Sequence, residues 1–264
     1  MAVLRIDWQG PVAHVVLDRP ERLNALNNEL IAALSETGRM LAGRSDCRAV
    51  ILRGEGRGFC SGIDLDSLRS ASGGGERAID LDTIVADGAN VAQHAVLVWQ
   101  RLPMPVIAAV HGVALGGGFQ LALGADIRIV APDTRMAVME AKWGLVPDMA
   151  GMALLRDLLR PDILAELIFT ARMFDGTEAL RLGLATQLSE APQVAASDLA
   201  HRIAALSPDA IRAAKRLLRM RGTEAEILRA EAAEQSALFG TPNQREAVAA
   251  GMEKRPANFV DVPE

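Results

Sequence analysis

Short apolar blocks separated by glycine- and proline-containing turns dominate the first two thirds of this chain, and helical spacing dominates the last third. Residues 3–8 and 12–17 are apolar-rich runs around Gln9-Gly10-Pro11, the pattern of a β-hairpin. Residues 27–41 place Leu30, Ile31, Leu34 and Leu41 on one helical face. Residues 49–52 and 106–110 are continuous apolar runs too short for helices, so each reads as a buried strand. The polar, glycine-rich stretch 70–75 predicts a surface loop. Residues 81–100 carry Leu81, Ile84, Val85, Val91, Ala92, Ala95, Val98 and Trp99 on one side and predict a single long helix. A short helix over 118–123 and a strand over 127–130 follow.

Between 195 and 251 only helices are expected. Ser207-Pro208 and Thr241-Pro242 pair an N-cap with a first-turn proline, and Gly222 closes the helix between them. Alternating strands and helices predict an α/β architecture. The expected division is a core over residues 1–194 that holds the site and a helical region over 195–264 that serves assembly.

The stretch 102–125 lacks Asp, Glu, Lys and Arg and is long enough to imitate a membrane span. Pro103, Pro105 and Gly116–Gly118 would break such a helix, so it reads as strand, turn and helix in the interior. Composition narrows the picture further. Half the residues are hydrophobic but only 3% are aromatic and none is Tyr, so the core is aliphatic. A net charge of −5 argues against a nucleic-acid surface. Cys47 and Cys60 make no disulfide framework, and no metal-ligand spacing is present among the cysteines or the four histidines. The N-terminus lacks the pattern of a secretion or transit peptide, and a cytoplasmic protein is expected.

Chemistry concentrates in two turns, Gly54-Glu-Gly-Arg-Gly-Phe-Cys-Ser-Gly-Ile-Asp-Leu65 and His111-Gly-Val-Ala-Leu-Gly-Gly-Gly-Phe-Gln120. Each follows a predicted strand and leads toward a helix. Glycine permits close approach to the main chain, and two such turns could aim two N–H donors at one oxygen. Nucleotide binding is disfavoured, because neither G-x-G-x-x-G nor G-x-x-x-x-G-K-[ST] occurs.

These turns belong to a wider set. Arg19-Pro20-Glu-Arg-Leu-Asn24-Ala25-Leu26, Gly56 to Leu65, Ala114 to Ala122, Gly124-Ala-Asp-Ile-Arg128, Gly144-Leu-Val-Pro147 and Glu253-Lys-Arg-Pro-Ala-Asn-Phe259 occur in that order. Together they resemble the successive signatures of the enoyl-CoA hydratase/isomerase (crotonase) family. The resemblance implies a spiral of β-β-α units followed by C-terminal helices that build a homotrimer, often paired into a hexamer. It implies an acyl-CoA thioester substrate, with coenzyme A as the carrier portion and no separate cofactor or metal. The implied oxyanion donors are the N–H groups of Ile63 and Gly117. Arg22, Leu23, Ala25, Ser61, Gly62, Asp64 and Leu65 match the strip that lines the CoA, and Lys254 matches a residue that reaches a CoA phosphate, on the same or a neighbouring subunit.

The acid/base positions depart from the hydratase pattern. Of the two glutamates implied for hydration, one falls on Glu140 and the other on Gln120. An amide orients a neighbour but exchanges no proton near neutral pH. Losing a positioned acid or base removes a factor of roughly 10²–10⁴ in rate. Asp148 matches an acidic residue of the family's dienoyl-CoA isomerases, which also carry Asp where this chain has Gln120. The expectation is therefore double-bond isomerisation with Glu140 as base. Its rivals are hydration by Glu140 with Asp148 or Gln120, and acyl-CoA binding without catalysis.

Overall fold

The computed structural model describes residues 2–72, 81–86 and 88–262. The chain opens with the expected hairpin, β1 (Leu4–Gln9) antiparallel to β2 (Val12–Leu17). Helix α1 (Asn28–Ala42) begins at Asn27, whose side chain accepts the Leu30 N–H. Leu30, Ile31, Leu34 and Leu41 are buried, each removal from water contributing about 1.5–3 kcal/mol. Strand β3 (Ala49–Gly54) and helix α2 (Leu65–Ser72) follow. Residues 70–72 of the expected loop close α2, and 73–75 lie outside the described residues.

The helix expected over 81–100 is shorter than its apolar side suggested. Ile84–Ala86 (β4) and Ala89–Asn90 (β5) form a small antiparallel ribbon, with Gly88 at φ +75° in the turn. Only Val91–Arg101 (α3) is helical. Asn90 sets the start, because its side chain accepts the Gln93 N–H while the Gln93 side chain accepts the Asn90 N–H. That reciprocal cap fixes the boundary, and β-branched Ile84 and Val85 suit the ribbon.

Next come β6 (Val106–Val110), β7 (Val113–Leu115) and α4 (Gly117–Leu123), a β-β-α unit, and then β8 (Ile127–Val130) and β9 (Arg135–Ala137). Helices α5 (Gly151–Leu155), α6 (Pro161–Thr170) and α7 (Gly176–Leu182) lead to β10 (Gln187–Leu188). The uncharged stretch 102–125 is thus β6, β7 and α4, and among the described residues no helix is long and apolar enough to cross a membrane.

The main sheet has the order β1-β2-β3-β6-β8-β10, parallel from β2 onward. Both faces are covered, which explains its continuous apolar runs. Val50, Leu52, Ala108 and Val110 join the larger core with α1 and α3. Ala49, Ile51, Ile107 and Ala109 face Ala196, Ala200 and Ala204 of α8 (Pro192–Ala204). A second, smaller layer pairs β7 with β9, and single bridges join Cys60 to Ala114 and Leu26 to Ile63. This layer is where the glycine turns meet.

The expected C-terminal helices are α9 (Pro208–Arg219), α10 (Glu224–Leu238) and α11 (Pro242–Glu253), with Ser207 and Thr241 as caps. Helix α9 is tied to the core by Lys215, whose ammonium donates to the Met104 carbonyl at 2.8 Å and to Asp126 at 2.7 Å.

Candidate active site

The first glycine turn leaves β3 at Gly54 and is held from behind by Asn24. Its side-chain amide donates to the carbonyls of Glu55 (3.0 Å) and Gly58 (2.9 Å). Beyond it, residues 61–64 run beside 23–26. The Ser61 N–H donates to Leu23 O at 2.9 Å, Leu26 N–H to Gly62 O at 2.8 Å, and Asp64 N–H to Leu26 O at 2.9 Å. In a trans peptide the C=O and N–H point in opposite directions. Fixing Gly62 O against Leu26 therefore turns the Ile63 N–H away from that strip.

The second turn closes on the first. Cys60 N–H donates to Val113 O at 3.0 Å, Leu115 N–H to Cys60 O at 3.1 Å, and Gly116 N–H to Ala137 O at 2.9 Å. His111 donates from Nε2 to Gly56 O at 2.9 Å. Gly117 opens α4, where the first N–H groups have no acceptor within the helix. Gly62 adopts φ +88°, and a Cβ there would lie 2.5 Å from Leu115 O and 3.6 Å from the Gly117 nitrogen. The two turns are in contact. Among the described residues, neither the Ile63 nor the Gly117 N–H donates to a main-chain acceptor outside its own element.

A cavity of about 340 Å³ opens at this junction. Of the residues singled out from sequence, it is lined by Arg22, Ala25, Ser61, Gly62, Ile63, Asp64, Leu65, Gly117, Glu140 and Asp148. Trp143 lines it too, with Leu26, Leu115, Gly116, Met139, Leu145 and Met149. Three residues do not. Leu23 lies at the start of the 23–26 strip with its carbonyl accepting from Ser61, Lys254 caps the far end of α11, and Gln120 is sealed beneath the floor at 0% exposure.

Glu140 begins a 3₁₀ turn, Glu140–Trp143, and is 7% exposed. Gln120 Nε2 donates to its Oε1 at 2.6 Å. The amide orientation is set from the other side, because Gln120 Oε1 accepts the N–H groups of Met149 (3.0 Å) and Gly151 (2.9 Å). Glu140 Oε2 is buried and has no partner among the described residues. Burial raises the Glu140 pKa above its ordinary value; its own backbone N–H and the Gln120 amide oppose the rise, and the Asp148 charge adds to it. Burial raises Asp148 as well. Cys60, fully buried behind the turns, is pushed up to about 12 by burial and is unsuited to nucleophilic work.

Arg19 stands in the first motif, but its role is not readable from it. Its guanidinium lies against the Ala25 carbonyl and pairs with Asp64 at 3.0 Å. Sequence shows an Arg beside Pro20, whereas the destination of its side chain depends on the folded loop.

Comparison with known proteins agrees with this geometry. The family model described as Enoyl-CoA hydratase/isomerase matches residues 7–262. The chain is 32% identical to the short-chain-enoyl-CoA hydratase of Clostridium acetobutylicum over 259 residues, 95% of this chain and 94% of that protein. It is 32% identical over 270 residues to the peroxisomal Delta(3,5)-Delta(2,4)-dienoyl-CoA isomerase of Arabidopsis thaliana, 98% of this chain and 96% of that one. The crystal structure of an enoyl-CoA hydratase from Bacillus anthracis superposes with a TM-score of 0.87 at 27% identity, covering 97% of this chain and 98% of that one. The fold is the crotonase fold, and the chain belongs to the enoyl-CoA hydratase/isomerase family.

Proposed function

We propose that this protein shifts a double bond within an enoyl- or dienoyl-CoA thioester. The observation that carries this reading is the orientation of Gln120. Adding water across a double bond needs a water held between groups that accept its protons. Here Gln120 Oε1 is occupied by two backbone N–H groups, its Nε2 is committed to Glu140, and the residue does not line the cavity. It offers the substrate chamber no proton acceptor.

In this mechanism the Ile63 and Gly117 N–H groups hold the thioester oxygen, each contributing about 3–4 kcal/mol as negative charge develops there. Glu140 Oε2, the oxygen without a partner among the described residues, removes a proton from the acyl chain. The resulting enolate or dienolate is reprotonated at another carbon by Glu140 or Asp148. One proton leaves and one returns, so the reaction requires no redox partner. The CoA lies along Arg22, Leu23, Ala25 and Ser61 to Leu65. Lys254, outside the cavity lining of its own chain, reaches a CoA phosphate of a neighbouring subunit in a trimer or hexamer. Assembly is supported by α10, which buries no residue, and by exposed Leu218, Leu228, Phe239 and Met252.

Mass-resolved analysis of products from 2-enoyl, 3-enoyl and 3,5-dienoyl thioesters tests the reading. Products of unchanged mass are expected; gain of one water as the main outcome would replace it with hydration. That second reading has one observation in its favour, that Asp148 and Glu140 line the same cavity.

The pH profile gives an independent check. A base must be deprotonated, so kcat/KM should fall with decreasing pH at a point above the ordinary glutamate range. Gln120→Glu places a second carboxyl beside Glu140 Oε1, and like charges this close raise one pKa strongly. The acid limb should move further up, and an unmoved limb would separate Glu140 from proton transfer.

A further inference from the structure

We infer that Arg19 is a positioning residue that orients and polarises the Ile63 N–H through a chain of two peptide groups. This rests on the oxyanion role proposed above for Ile63. The chain begins at the Arg19 guanidinium, which lies against the Ala25 carbonyl oxygen. The same peptide unit presents the Leu26 N–H on its opposite edge, and that N–H donates to Gly62 O at 2.8 Å. The next peptide unit carries the Ile63 N–H on its far edge, toward the cavity. Two planar trans units joined by one hydrogen bond thus connect a cation to the donor.

Three features make the arrangement specific. Arg19 is fixed at its own backbone, with its N–H donating to Asn24 Oδ1 at 2.9 Å and its carbonyl accepting the Asn24 N–H at 2.9 Å. Its second nitrogen pairs with Asp64 at 3.0 Å, with side-chain exposures of only 15% and 10%. Asp64 is itself anchored, since its other oxygen accepts the Asp66 N–H at 3.1 Å and its backbone N–H reaches Leu26 O at 2.9 Å. Arg19 therefore grips both sides of the 23–26 and 61–64 ladder, one residue from Leu26 and one from Ile63.

Two consequences follow for the proposed reaction. Orientation is the first, because a small displacement of a catalytic donor lowers the rate steeply. Polarisation is the second. Hydrogen bonds in series strengthen one another, and a positive charge at the far end draws electron density away from the terminal N–H. Charge appears on the substrate oxygen only during reaction, so the benefit falls on kcat rather than on binding.

The test uses Arg19→Gln and Arg19→Lys in the full-length protein. The probe is butyryl-CoA labelled with ¹³C at the thioester carbonyl, which has no double bond to move. Infrared spectroscopy of the bound probe reads the polarisation of its C=O directly. In the unaltered protein the stretch should lie below its value in water. Arg19→Gln should return it toward the water value and lower kcat by about 10–100-fold, with the Kd of butyryl-CoA changed less than about threefold. Arg19→Lys keeps the charge without the two-pronged grip and should fall between.

A folded Arg19→Gln protein with unchanged stretch and kcat overturns the inference, as does a loss confined to Kd. If Arg19→Gln does not fold, by circular dichroism, the stretch in Arg19→Lys decides: a wild-type value overturns the inference. Absence of any shift in the unaltered protein would instead remove the two-donor mechanism on which it rests.

Discussion

Glu140→Gln is expected to lower kcat by about 10³–10⁴-fold, the upper part of the range for losing a positioned general base, while acyl-CoA still binds. The reason is local. Among the described residues two other carboxyl groups line the cavity, and Asp64 is held in an ion pair with Arg19. Asp148 remains, but with Glu140 gone the proposed pair has lost the member beside the glycine turns, where a Cβ on Gly116 would lie 3.1 Å from Glu140 Oε1. Glutamine has nearly the same shape, and Gln120 can donate to its carbonyl oxygen as it does to Glu140. Calorimetric titration with an acyl-CoA should therefore give a Kd within a fewfold of the original. Near-original turnover on every accepted thioester would end the proposed mechanism.

The same variant should be at least as heat-resistant as the parent at neutral pH. Glu140 has a folded pKa raised by burial. Such an acid favours the folded state below its unfolded pKa, and this advantage is lost as pH rises through the folded value. An amide in its place does not titrate, so any difference in Tm should shrink toward acid pH. Lost activity with gained stability is the expected signature of a strained catalytic group.

Gly62→Ala is expected to be the most damaging change that leaves every side chain of the site in place. The backbone there has φ +88°, and the added carbon would sit 2.5 Å from the Leu115 carbonyl oxygen, main chain that cannot rotate aside. Strain at such a position costs about 1–3 kcal/mol, and the collision adds to it. Relief requires separating residues 62–63 from 115–117, which pulls the proposed donors apart. A fall in kcat of about 10²-fold or more should accompany the destabilisation. Gly10→Ala supplies the control, since Gly10 has φ +57° but, among the described residues, nothing within 4 Å of the added carbon. It should show the backbone penalty in urea denaturation with unaltered kcat. Equal kcat losses in both would show that the effect is not local to the junction.

Much of this arrangement is legible in the residues. The hairpin, the buried strands, the capped C-terminal helices and both glycine turns follow from spacing and from the conformational preferences of Gly, Pro, Ser and Thr. The helix expected over 81–100 is cut short, because an apolar side can continue unbroken across a change of backbone. Ile84 and Val85 alternate as readily as they spiral, and the decisive signal is Asn90 followed by Gln93, a cap inside the run. Gln120 is recognisable as an amide in place of a carboxyl. Which of its two ends faces Glu140 depends on the Met149 and Gly151 N–H groups, 29 and 31 residues away. Arg19 is visible in its motif and obscure in its role for the same reason, since its ion-pair partner lies 45 residues along.

Residue 120 does not line the chamber, yet its amide holds one oxygen of a carboxyl that does. An amide and a carboxyl differ there by a single atom type and hardly at all in size, so swapping them leaves the walls of the chamber as they were. Under the proposed mechanism, reaction outcome and substrate fit are adjustable at separate addresses, the first beneath the floor and the second around the rim. Two proteins of this architecture would then admit the same molecule and release different products.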